Sequence, residues 1–283
     1  MSETFDIGIR VWRPDRALQP YLRYIYRLTC GSVSSLLTFP TGSPQIIFHR
    51  KIPLFIPELS VSQSRCTISG QTDFPAHVSS SGDTDMIVAV FHPHTIGLFI
   101  DDSPASFHNL EIAGDDTGDR SLADLASRIS ENSDFQSCVT MISHWLLRRL
   151  NRASRTAFDR IDRTGEALKK LMSDPGIKVA ELADTACLGT KQFRNVFNNT
   201  VGMKPKEYTR IVRFQKSMWL LQCGLSDFIG IAHECGYADQ SHFIREFKAH
   251  SGHTPSAIAK ICTPYSDMFG DPEKYPFSSM ATG

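Results

Sequence analysis

Apolar positions recur along this 283-residue chain in two rhythms. From residue 5 to residue 110 they come in short runs cut by polar turns, the pattern of strands. Ser34 to Phe39 and Gln45 to His49 are predicted strands around the turn Pro40-Thr41-Gly42-Ser43-Pro44. Lys51 to Pro57 and Arg65 to Ser69 predict two more. Asp85 to Phe91 predicts a more buried one after the turn Ser81-Gly82-Asp83. Tyr21 to Tyr26 fits helix or strand equally well. Several short strands with polar turns predict a small barrel or sandwich. Asp115 to Arg120 is polar and breaks the pattern.

From Ser121 the period becomes that of helices. Leu122, Leu125, Ala126 and Ile129 share a face over 121–129. Phe135, Val139, Ile142, Leu146 and Leu150 share one over 134–150, with Met141 and Trp145 beside it. The polar, basic run Asn151 to Thr156 places a domain boundary after residue 151. Ile161, Leu168 and Leu171 mark another helix from Phe158 to Met172, ended by Asp174-Pro175-Gly176.

Val179 to Ser256 holds one pattern twice. Phe193/Phe243, Phe197/Phe247, Gly202/Gly252 and Pro205/Pro255 are 50 residues apart, and Ala183/Ala232 are 49 apart, so the second turn is one residue longer. Each copy predicts helix, tight turn, helix. Ala183 and Ala232 allow close crossing, and Gly236 frees the second turn. Cys187 stands at the equivalent of Gly236, which leaves Gly189 to free the first turn. Thr190 and Asp239 are the expected N-caps of the second helices. Phe193/Phe197 and Phe243/Phe247 are i, i+4 pairs that face inward together. Lys191, Gln192, Asn195 and Gln240, Ser241, Arg245 then face out. A helix from Pro205 through Tyr208, Ile211, Val212, Gln215, Met218 and Leu221 to Gly224 joins the copies.

Two such motifs joined by a helix resemble the DNA-binding domain of the AraC/XylS family of transcription regulators. The second copy carries most of the resemblance, from Ile231-Ala232-His233-Glu234-Cys235-Gly236-Tyr237 through Gln240-Ser241-His242-Phe243 to Gly252-His253-Thr254-Pro255. It spans roughly residues 158–260. The β-rich part is similar to the N-terminal domain of one branch of that family, through Phe39 to Phe48, Ser69-Gly70-Gln71 and Val90-Phe91-His92-Pro93. In the wider family such domains are cupin-like barrels that bind an effector, dimerise, or both.

The expected fold is therefore α+β in two domains. Residues 1–151 form a mainly-β, cupin-like regulatory and dimerisation domain with helices at 121–150 that pair two subunits. Residues 152–262 form an all-α double helix-turn-helix with motifs at 179–202 and 229–252, and 263–283 form a loosely ordered tail. The resemblance implies double-stranded DNA as partner, with second helices entering the major groove. The candidate contacts are Thr190, Lys191, Gln192, Arg194, Asn195, Lys204, Lys206, Asp239, Gln240, Ser241, His242 and Arg245. Gln and Asn suit adenine, Arg and Lys suit guanine, and Lys204, Lys206 and Arg213 suit phosphates. RNA polymerase, a small-molecule effector and a second copy of the chain are the further partners this implies.

Charge sharpens the picture slightly. Residues 1–151 hold 12 Lys/Arg against 16 Asp/Glu, and residues 152–262 hold 17 against 11, in a chain with no net charge. A basic C-terminal part fits DNA. The seven cysteines include no CxxC pair, which suggests reduced thiols in a cytosol. The first residues read as no signal peptide, and the run Met86 to Phe91 is too short to span a membrane. In His92-Pro93-His94 a proline separates the pair, and the nearest acids after it are Asp101 and Asp102 rather than the glutamate a cupin metal site needs, so neither metal nor cofactor is expected. No GxSxG or GxxxxGK[ST] occurs, and no catalytic residue is assigned. Phe39, Phe48, Phe55, Phe74 and Phe91 are expected in the barrel core. Two alternatives stay open: a constitutive DNA binder whose N-terminal domain only dimerises, and a cupin-like enzyme fused to a DNA-binding module.

Overall fold

A computed structural model describes residues 8–225 and 227–261, so the 263–283 tail lies outside the described residues. Among the described residues, ten strands form two antiparallel sheets. They are β1 (Gly8–Trp12), β2 (Leu22–Cys30), β3 (Val33–Thr38), β4 (Gln45–His49), β5 (Phe55–Ile56), β6 (Val61–Ser62), β7 (Cys66–Ser69), β8 (Ala76–Ser80), β9 (Thr84–Phe91) and β10 (Glu111–Ala113). One sheet has the order β1-β2-β9-β4-β7-β10 and the other β3-β8-β5-β6.

The larger sheet is covered on both sides, and strand alternation shows how. Ile87, Ala89 and Phe91 join Ile25, Phe48 and Ile68 on one face. Met86, Val88 and Val90 join Tyr24, Tyr26, Leu28 and Ile47 on the other, facing the smaller sheet. That double burial explains why β9 reads as an almost unbroken apolar run. Of the stretch Tyr21 to Tyr26, ambiguous in isolation, Leu22 onward belongs to β2, because β9 pairs along it and β1 joins from Ile25. The expected strand Lys51 to Pro57 shrinks to β5, since Pro53 and Pro57 have no amide to donate to a ladder. Of the five phenylalanines expected in the core, Phe48 and Phe91 are buried, while Phe55 is 40% exposed. Phe39 and Phe74 line the space between the sheets.

Helices α1 (Arg120–Glu131) and α2 (Phe135–Leu150) lie on the outer face of the larger sheet. Asp119 caps α1 by accepting from Ser121 N and Leu122 N, and Asp134 caps α2 by accepting from Ser137 N. The apolar stripe expected to pair two subunits is spent within the chain. Leu122, Ile129 and Leu146 are 0% exposed and Ile142 1%, all packed into the core that β9 shares. Any homodimer must use a surface other than this stripe.

The rest is helical: α3 (Arg155–Ser173), α4 (Val179–Thr185), α5 (Thr190–Val201), α6 (Pro205–Gln222), α7 (Phe228–Glu234), α8 (Gln240–Ser251) and α9 (Pro255–Ile261). Two cores form here. Leu171, Leu182, Ala183, Phe193 and Phe197 belong to the first, and Ile231, Ala232, Phe243 and Phe247 to the second. α6 serves both, with Tyr208, Ile211 and Val212 in the first and Phe214, Met218 and Leu221 in the second. α3 spans the domain boundary, because Ile161 sits in the sheet-and-helix core and Ala167, Leu168 and Leu171 in the first helical one.

The β3–β4 loop docks onto α6. Tyr208 Oη donates to Gly42 O at 2.9 Å, and Gln215 Nε2 donates to Pro40 O. The Phe39 ring meets Phe214 edge-on, with centroids 6.1 Å apart. No helix among the described residues is long and apolar enough to cross a membrane.

Because the α1/α2 stripe is interior, Ile129→Ala and Leu146→Ala should each destabilise the full chain by about 2–5 kcal/mol. Thermal melting of the purified variants checks this, and unchanged midpoints would return the stripe to the surface.

Candidate nucleic-acid interface

The two motifs make the same turn by different means. In the second, Gly236 follows Cys235, the C-cap of α7, and takes φ +73°. Its amide donates to His233 O at 3.0 Å, and Tyr237 N donates to Ala232 O at 2.9 Å. In the first, Cys187 takes φ +53°, Cys187 N donates to Asp184 O at 2.9 Å, and Leu188 N donates to Ala183 O at 3.0 Å. The left-handed position therefore falls on Cys187 itself. Gly189 was expected to supply that freedom, but it sits at φ −65°, where any residue is comfortable. The hydrogen-bonding pattern fixes which position must turn left, and it is the one equivalent to Gly236.

The caps differ for the same reason. Asp239 is the N-cap of α8, and its carboxylate accepts from His242 N at 2.7 Å. The first turn is one residue shorter, so Gly189 occupies the N-cap of α5 and Thr190 is its first helical residue. The expected cap at Thr190 is thus corrected to Gly189, and no side chain caps α5.

Past the caps, the motifs match closely. Phe193 and Phe197 face inward with centroids 5.5 Å apart, and Phe243 and Phe247 with centroids 5.6 Å apart. All four are at most 1% exposed. Lys191, Gln192, Arg194 and Asn195 on α5 are exposed, as are Gln240, Ser241 and Arg245 on α8. Among the described residues none of these seven forms a side-chain hydrogen bond or ion pair within the chain. They lie in the first two turns of their helices, with donors and acceptors free.

The remaining candidates divide. Lys206 is exposed on α6. Lys204 caps that helix, with its amide donating to Glu207 Oε2 at 3.0 Å and its ammonium 3.4 Å from Glu207 Oε1. His242 is half-buried: its Nδ1 accepts from Ala238 N at 3.2 Å and its ring stands edge-on to Tyr237. It braces the turn. Arg213 is not free for phosphate. Its Nε donates to Pro175 O at 2.9 Å and its guanidinium lies 5.8 Å from the Tyr237 ring centre.

Arg213 belongs to a contact that sequence reading missed. A Cβ on Gly236 would lie 2.6 Å from Gly176 Cα and 3.1 Å from Pro175 C. The turn ending α3 therefore presses backbone to backbone on the turn of the second motif, and Gly236 is required for space as well as for φ. Arg210 pairs with Glu246 across α6 and α8, and Lys216 Nζ reaches Glu234 Oε1 at 2.7 Å on α7. These contacts fasten the second motif to α6 and to the turn that precedes the first motif. Gly176 was legible only as a helix stop, because nothing in its neighbourhood signals a partner 60 residues away.

The N-terminal domain touches both motifs at their far ends. A Cβ on Gly202, which ends α5, would meet Pro104 O at 2.7 Å, and one on Gly252, which ends α8, would sit 3.9 Å from Pro75. The starts of α5 and α8 stay open.

Comparison with known proteins agrees with this geometry. Residues 182–261 match the family described as a helix-turn-helix domain. Residues 10–113 match a family described as a domain of unknown function (DUF6597). An uncharacterized HTH-type transcriptional regulator of Haemophilus influenzae is 30% identical over 82 residues, covering 29% of this chain and 28% of that protein. Thermoregulatory protein LcrF of Yersinia pestis is 29% identical over 147 residues, covering 48% of this chain and 54% of LcrF. The chain thus spans about half, or less, of the length of these relatives. Among solved structures, ToxT from Vibrio cholerae O395 covers 92% of this chain and 98% of its own, at 12% identity and a TM-score of 0.43.

The two turns yield opposite expectations. A β-carbon at φ > 0 costs about 1–2 kcal/mol, so Cys187→Gly should raise the melting temperature of the full chain. Gly236→Ala should lower it sharply, because it adds the clash with Gly176 to the same penalty. Equal responses of the two sites in a denaturant titration would contradict this account.

Proposed function

We propose that this chain is a sequence-specific transcription regulator that reads duplex DNA with α5 and α8. The observation that carries the reading is the pair of open helix starts, each presenting unengaged polar side chains beside a buried phenylalanine pair. On this reading Lys191, Gln192, Arg194 and Asn195 meet base edges and phosphates in one major-groove segment, and Gln240, Ser241 and Arg245 in the next. Thr190 lies at the same open start as these residues. Lys206, with Lys204 beside it, meets the backbone. Asp239 and His242 shape the helix start. The braced α6 connection supports two segments about one helical turn apart, roughly 34 Å. The N-terminal domain modulates this activity from the far ends of the motifs, as a shift between DNA-competent and incompetent arrangements. The chain acts in the cytoplasm and is no enzyme. A purely constitutive binder would leave unexplained the cavity between the two sheets, which Gln215 of α6 helps to line.

Selection of the full chain on randomised duplexes tests the reading. Arg245→Ala should relax preference at one or two adjacent base pairs, a loss of about 1–3 kcal/mol in discrimination. Lys206→Ala should weaken all sequences alike and reduce the salt dependence of binding. If Arg245→Ala changes neither affinity nor preference, α8 is a structural support only. If the wild-type chain binds no duplex, the reading falls.

A further inference from the structure

The space between the two sheets is a cavity of about 210 Å³. An apolar cavity of about 150 Å³ is enough to hold benzene, so this one has room for a somewhat larger molecule. Leu28, Leu36, Ile47, Leu54, Val78 and Met86 form much of its wall. One part of that wall is different. Gln45, Ser69 and Glu111 stand side by side on β4, β7 and β10, in direct register. Their neighbours Ile46, Ile68 and Ile112 pack on the helix side, so alternation turns these three inward. All three line the cavity.

Glu111 is the focus of the row. Ser69 Oγ donates to its Oε1 at 2.7 Å, and Gln63 Nε2 donates to its Oε2 at 3.0 Å. Gln63 is anchored in turn, with its Oε1 2.7 Å from His49 Nε2. Since the Gln63 amide nitrogen donates to Glu111, its oxygen accepts, and the His49 proton sits on Nε2. Burial lowers the pKa of that imidazole from its ordinary value, which favours its neutral form. The chain of hydrogen bonds thus runs one way, from His49 through Gln63 to the carboxylate, and supports its anion. Yet no cationic side chain pairs with Glu111 among the described residues, and burial pushes its carboxyl up to about 7. A carboxylate held in an apolar chamber without a counter-charge is costly for the fold alone. An ammonium from solution would supply the counter-charge that the protein does not.

We infer that this cavity binds a small apolar amine, with its ammonium on Glu111 and its hydrocarbon body against the aliphatic wall. A carboxylate-headed ligand would face Glu111 directly, and a sugar would leave most of its hydroxyls against Leu, Ile, Val and Met. The inference rests on the reading of the N-terminal domain as the part that modulates a regulator.

The test titrates the full chain with n-hexylamine, n-hexanol and n-hexanoate, by calorimetry and thermal melting. Hexylamine should bind tightest and raise the melting temperature, hexanol should bind more weakly, and hexanoate should not bind. Glu111→Gln should weaken hexylamine by about tenfold or more, the worth of a hydrogen bond to a charged group, and leave hexanol unchanged. The wild-type order of the three ligands needs no variant, so it decides the matter even where Glu111→Gln folds poorly. Hexanoate binding as well as hexylamine, or no binding by any of the three at millimolar concentration, overturns the assignment. Duplex binding without added amine depends on α5 and α8, so its failure would strike the regulator reading and leave the ligand order standing.

Discussion

Everything in this chain converges on one helix that has almost no free face. α6 supplies Tyr208, Ile211 and Val212 to one helical core and Phe214, Met218 and Leu221 to the other, while Tyr208 and Gln215 also bind the β3–β4 loop. Most of its large side chains are fully buried. A helix packed on so many sides cannot rotate without breaking several contacts at once. The angle between the two motifs and the seat of the N-terminal domain are therefore set by the same few residues.

That coupling has a direction. The N-terminal domain rests against the C-terminal ends of α5 and α8, where Gly202 and Gly252 turn the chain away, and leaves the opposite ends clear. Contact at the far end can alter how the motifs are held without competing for the surface proposed to meet DNA. The backbone approach of Gly236 to Gly176 seats the second motif on the turn that precedes the first, and the Arg210–Glu246 and Lys216–Glu234 pairs tie the second motif to α6, which both motifs share. Gln215 carries this further, because it binds Pro40 and lines the cavity between the sheets.

Much of this was legible in the sequence where the signal is local. The 50-residue repeat located both motifs, and i, i+4 spacing named the buried phenylalanines and hence the outward face. Asp239 was readable as a cap because a carboxylate three residues before an amide can satisfy it. Thr190 misled because one fewer residue in the first turn moves the cap to Gly189, and a glycine carries no side-chain signal. Cys187 misled because a hydrogen-bonding pattern, not residue type, decides which position turns left. Long-range features left no trace: Gly176 against Gly236, and Glu111 beside Ser69 and Gln63, are neighbours only once the chain is folded. The α1/α2 stripe was read correctly as apolar, yet periodicity cannot say whether a face meets a sheet or another subunit.

The central claim is that one rigid block presents two helix starts to one duplex. Hydroxyl-radical and methylation footprints of the full chain on a selected site measure this directly. The account predicts two protected major-groove segments about one helical turn, roughly ten base pairs, apart on each bound duplex. A single protected segment, or two whose separation varies from site to site, would contradict it.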